Sequence, residues 1–63
     1  MGYRVLVKLE GMKKYQAVVT EGGEVKVSDS SNKLYHSYFT EMNAIKLRDA
    51  LIGAGIDAKI VKG

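Results

Sequence analysis

From Tyr3 to Glu10 apolar and polar positions alternate, with Tyr3, Val5, Val7 and Leu9 on one face and Arg4, Leu6, Lys8 and Glu10 on the other. A period of two puts successive side chains on opposite faces of a strand, so this stretch predicts one. Gly11 and Met12 turn the chain, and Lys14 to Thr20 reads as the hairpin partner. There Tyr15, Ala17 and Val19 continue the apolar face while Lys14, Gln16, Val18 and Thr20 point away. Gly22-Gly23 signals a tight turn, because both positions tolerate positive φ. Glu24 to Ser28 then returns with Val25 and Val27 inward and Lys26 outward. Asp29-Ser30-Ser31-Asn32 is a polar turn whose side chains can bond their own backbone. Lys33 to Phe39 is strand-like in its aromatic content, with two phases open: Leu34, His36 and Tyr38 inward, or Tyr35, Ser37 and Phe39.

The period changes after Phe39. Thr40 is suited to cap a helix, its hydroxyl accepting from one of the first N–H groups that lack intrahelical partners. Phe39 and Ala44 are spaced for a weak hydrophobic staple, and Glu41 suits the positive end of the helix dipole. Asn43 stands where a full capping box would carry Glu or Gln. Ala44, Leu47, Ala50, Leu51 and Ala54 share one side of a 3.6-residue wheel. Gly53 and Gly55 stop the helix, Gly55 as the left-handed cap. Ile56, Ala58 and Ile60 then alternate with Asp57, Lys59 and Val61, as in a strand with one buried face. The expected fold is α+β: a single domain over residues 1–63 in which a small antiparallel sheet, in β-β-β-β-α-β order, packs one face on a single helix.

Sixty-three residues without cysteine or proline leave the apolar core as the source of stability, with no disulfide or thiolate–metal staple. An apolar helix face wider than one sheet can cover adds a homodimer to the options. The sequence has no apolar run long enough to span a bilayer and no signal-peptide pattern, so the expectation is a cytoplasmic protein with no membrane role. Ten Lys and Arg against seven Asp and Glu leave a net charge of +3, compatible with an acidic partner.

Chemistry finds little footing. His36 is the only histidine, so no zinc ligand set exists and no metal or other cofactor is expected. The acids are scattered near turns and on the helix, no pair is spaced for acid–base work, and the chain is short for building a pocket. Gly53-Ala54-Gly55 follows a helix, whereas phosphate-cradling loops precede one and use its positive end. The expectation is therefore binding without catalysis.

The outward phase of the strands collects Arg4, Lys8, Lys14, Lys26 and Lys59, with Tyr35, His36 or Tyr38 near enough in sequence to offer a stacking plane. Lysine neutralises phosphate and aromatic rings stack bases, so nucleic acid is the leading partner. The plainer alternative is a solvated face whose lysines keep a flat sheet from aggregating. A different class of function, a protein-binding inhibitor or adaptor, would centre on Leu6 and Val18, or on a helix ridge of Ile45 and Ile52 with Arg48 between them. As extra core at the sheet edge, that ridge would have no binding role.

Two local patterns resemble known families. Phe39-Thr40-x-x-Asn43-Ala44 after strands is similar to the F-T-x-x-E-A helix start of the arm-type DNA-binding domains of phage integrases. The resemblance covers residues 13–52 and implies a sheet that contacts DNA with a helix behind it. Here Asn43 replaces the acid and a further strand follows the helix. Asn43 to Val61, in the pattern A-x-x-L-x-x-x-L-x-x-x-G-x-x-A-x-I-V, is similar to the helix-and-strand half of the peptidoglycan-binding SPOR repeat, which implies a cell-wall ligand. The upstream half of that repeat has no counterpart in the sequence. The two resemblances imply different functions, and neither amounts to membership.

Overall fold

The computed structural model describes residues 2–28 and 36–63. Its elements are β1 (Tyr3–Lys8), β2 (Gln16–Glu21), β3 (Glu24–Ser28), α1 (Glu41–Gly53) and β4 (Asp57–Lys62). The strands form one antiparallel sheet in the order β3-β2-β1-β4, and α1 packs on β1 and β4. This is the expected α+β architecture with one named strand fewer. Residues 33–35 lie outside the described residues, and the end of that predicted strand contributes a single bridge, Tyr3 to Phe39. Tyr3 and Phe39 exchange both backbone hydrogen bonds, at 2.9 and 2.8 Å. Residues opposite each other across a bridge share a face, so Phe39 joins Tyr3 against the core. Of the two phases left open, Phe39 takes the inward one.

Both ends of α1 follow from local chemistry. Thr40 is extended, and its Oγ1 accepts from the Asn43 N–H at 3.2 Å. At the other end Gly55 has φ +83°. Its N–H reaches the Ile52 carbonyl at 2.9 Å while the Ile56 N–H reaches Leu51 at 3.0 Å, the paired bonds of a Schellman motif. Ile56 and Leu51 both pack against the core, which supplies the hydrophobic contact of that motif. Ala44, Leu47 and Leu51 face the sheet as the wheel predicts, but Ala50 and Ala54 are exposed. A helix lying over two strands needs a narrower stripe than one covering four.

The register corrects the second strand. Leu6 lies opposite Ala17 and Val7 opposite Gln16. Ala17 therefore shares the face of Leu6, and Val18 shares the face of Val5 and Val7 under α1. Val18 is 1 % exposed and belongs to the core with Val5, Val7, Ala44 and Ala58. The expected outward position of Val18 is wrong, and so is the inward placing of Tyr15, Ala17 and Val19. Ala17-Val18-Val19 is apolar at three successive positions, so alternation does not choose a phase there. Packing does: burying a branched valine beside two others fills more of the core than alanine would. β1 also ends at Lys8, leaving Leu9 exposed, and β2 begins only at Gln16, so Lys14 lies in the connection.

Candidate functional site

The face of the sheet away from α1 can be read row by row from the strand pairing. Lys8 lies opposite Asp57 on β4. Leu6 sits between Ala17 and Lys59, with Ser28 beyond Ala17, and Arg4 lies opposite Val61. Val19 lies opposite Lys26 on β3. Of the basic residues expected there, the structure brings Arg4, Lys8, Lys26 and Lys59 together on this face and leaves Lys14 outside the strands. Leu6, Val19 and Val61 are half-buried and form an aliphatic middle, with Ala17 nearly closed off at 2 % exposure. Glu21 and Glu24 face each other at the far hairpin, where the Lys26 ammonium is 3.8 Å from Glu24. No ion pair within 4.0 Å joins Arg4, Lys8 or Lys59 to a carboxylate among the described residues.

Tyr15 is the aromatic residue that sequence reasoning missed, because it was assigned to the buried phase. Its hydroxyl donates to Asp57 Oδ2 at 2.8 Å, and the Lys59 ammonium sits 4.2 Å from its ring centroid. The ring thus ties the start of β2 to β4 across β1, and engages Asp57, the residue opposite Lys8 in the sheet. Hydrogen bonding to Asp57, aided by burial and the charge of that carboxylate, raises the Tyr15 pKa above its ordinary 10.0. A phenol donates only while protonated, so folding holds this proton more tightly than the unfolded chain does. The bond's contribution is complete below pH 10 and is lost as pH climbs through the raised value. In an alkaline absorbance titration, Tyr15→Phe should therefore delete a phenol that ionises above its ordinary 10.0. It should also flatten the alkaline loss of stability. A titration in which the high-pH phenol persists would place the bond elsewhere.

At the other end of the face, Arg4 donates from Nη1 to His36 Nδ1 at 3.2 Å, the ring nitrogen accepting because a guanidinium only donates. Arg4 Nε is buried and has no hydrogen-bond partner among the described residues. An unmet buried donor costs about 1–3 kcal/mol, more when charged. Tyr38, one residue before the inward Phe39, takes the opposite phase and is 43 % exposed. It converges with Arg4 at Gly63: a Cβ there would come within 2.9 Å of Tyr38 Cε2 and 3.1 Å of Arg4 Nε. Tyr35 lies outside the described residues. Ser37 points its hydroxyl at β2, accepting from the Thr20 N–H at 2.8 Å.

The helix ridge is not core. Ile52 is 51 % exposed, Ile45 and Arg48 are half-buried, and Arg48 pairs with its neighbour Asp49 at 3.0 Å. Among the described residues no group of His, Cys, Asp and Glu is placed to hold a metal ion, and no helix is long and apolar enough to cross a membrane.

No protein-family model matches this chain, and neither does any curated protein or solved structure. The resemblances to integrase arm-type domains and to the SPOR repeat stay at the level of local pattern. In the fold, the strand after α1 pairs with β1 and supplies Lys59 to the candidate face.

Proposed function

We propose that this chain is a non-catalytic, cytoplasmic binding domain that takes nucleic acid on the face of the sheet opposite α1. The observation that carries the reading is that Arg4, Lys8 and Lys59 surround Leu6 on that face without a carboxylate ion-pair partner among the described residues. Cations left uncompensated on a flat surface favour a polyanion, whose condensed counterions are released when phosphate is neutralised. Affinity for single- and double-stranded DNA and RNA, measured across a salt series, tests this. The expected result is a log–log line falling with salt, with a slope of about 2 to 3 for three phosphate contacts. Absence of binding at low salt, or a flat line, removes the proposal.

A protein partner is the second reading, favoured by the half-buried Leu6, Val19 and Val61 at the centre of the same face with charges around them. An apolar middle with a polar rim is the anatomy of a protein interface. Leu6→Asp would damage such an interface most, while salt would change it little. The corrected phase moves Val18 out of this reading and brings Val19 into it.

A further inference from the structure

We infer that Arg4, His36 and Tyr38 form a nucleotide subsite for single-stranded nucleic acid, with the Arg4 guanidinium taking a phosphate and the Tyr38 ring stacking a base. This rests on the proposal that the helix-free face binds nucleic acid, and it specifies the form bound. The first support is local convergence. Gly63 brings Tyr38 and Arg4 within contact distance of one small residue, so a charged donor and an exposed ring share one corner of the face. Gly2 makes room on the other flank, where a Cβ would come within 2.8 Å of Tyr38 Cβ. The second support is the state of Arg4. His36 holds Nη1 in place, Nε has no acceptor, and no carboxylate lies within ion-pair distance among the described residues. A half-buried guanidinium in this state lacks the anion that would compensate it.

The third support is width. Neighbouring strands lie about 4.8 Å apart, so the outer axes of a four-stranded sheet are separated by about 14 Å. The major groove of B-DNA is about 12 Å wide and admits a helix or a two-stranded ribbon. The face therefore cannot enter a duplex groove to reach bases. A single strand has no such restriction, since its bases can splay onto aromatic rings while its phosphates follow the cations.

The test measures binding of a short labelled single strand, a hairpin duplex with the same number of phosphates, and inorganic phosphate as competitor. The single strand should bind at least about tenfold more tightly than the duplex. Tyr38→Leu should weaken it by about tenfold, within the range known for base–aromatic stacking, without changing the salt slope, and Tyr38→Phe should bind like the unaltered protein. Arg4→Gln should reduce the slope by about 0.7, one phosphate contact on a single strand. If Tyr38→Leu fails to fold, irradiation of the unaltered protein with a bromouridine-substituted strand decides: an adduct at Tyr38 supports the subsite, and adducts only elsewhere overturn it. Equal affinity for duplex and single strand, an unaffected Tyr38→Leu, or full displacement by an equal concentration of inorganic phosphate overturns the subsite and leaves the binding face standing. Failure of every nucleic acid to bind takes both.

Discussion

Val18→Asp is expected to abolish cooperative folding, whereas Val19→Asp, one position along the same strand, leaves the domain folded. Val18 is 1 % exposed among Val5, Val7, Ala44 and Ala58. A carboxylate there would sit in that apolar cluster, and burying it costs more than about 4 kcal/mol by the mechanisms behind the largest single-mutant effects. A chain of 63 residues has roughly 3–9 kcal/mol of stability in total, so the loss is comparable to all of it. Val19 points to the other face, half-exposed and directly across from Lys26. A carboxylate at that position keeps its water and gains a cross-strand cation, a pairing that contributes about 0.2–1 kcal/mol. Urea denaturation followed by circular dichroism, with amide dispersion in a proton–nitrogen spectrum as the check on folding, reads both outcomes. The reverse pattern, with Val19→Asp unfolded and Val18→Asp folded, would mean that β2 is turned over and that the face described here does not exist.

That pair of neighbours also marks where the sequence stops being readable. The phases of β1 and β4 are legible because Arg4 and Lys8 fall on one phase of the first, and Asp57 and Lys59 on one phase of the second, and these charges cannot share the buried side. Helix α1 is legible for similar reasons: Thr40 and Gly55 have specific backbone roles at its two ends, and both perform them. β2 offers no such marker. Its middle is Ala17-Val18-Val19, and its phase is set by pairing with β1 after a connection whose length the pattern does not constrain. A one-residue change of phase moves every side chain of the strand to the other face. Tyr15 was lost to the candidate site for that reason, and Val18 was wrongly offered to it.

The corner at Arg4 was hidden by a different limitation. It is assembled from the first strand, the residues before the helix and the last residue of the chain, so its members are remote in sequence. The aromatic content around residues 33–39 announced a stacking candidate without saying which ring. Only the exchange of backbone bonds between Tyr3 and Phe39 assigns Phe39 to the core and Tyr38 to the opposite face. The helix ridge illustrates the converse: Ile45 and Ile52 have the spacing of core residues, yet Ile52 stays open to solvent.

Reversing Lys8 and Lys59 together to glutamate is expected to reduce nucleic-acid affinity by about thirtyfold or more at about 0.1 M salt. Each phosphate contact on a single strand carries a salt slope of about 0.7, so losing one costs about fivefold at that concentration and losing two about twenty-five-fold. Repulsion from the new carboxylates adds to this. The reversal also takes the net charge from +3 to −1, each substitution subtracting two, so bulk charge must be separated from position. Lys46→Glu with Arg48→Glu makes the same change on α1, which packs on the other side of the sheet. Charges there are separated from the face by about a Debye length or more, roughly 10 Å at this ionic strength, and their field is largely screened. The helix pair should therefore cost no more than about threefold and leave the salt slope unaltered. Lys8→Gln with Lys59→Gln should fall between, avoiding the like-charge contact that Lys8→Glu would make with Asp57 across the strand. Equal losses from the helix pair and the sheet pair would show that overall charge, not this face, governs binding. Unchanged affinity in the sheet pair, with Leu6→Asp damaging capture of a protein partner instead, would transfer the same surface to the second reading.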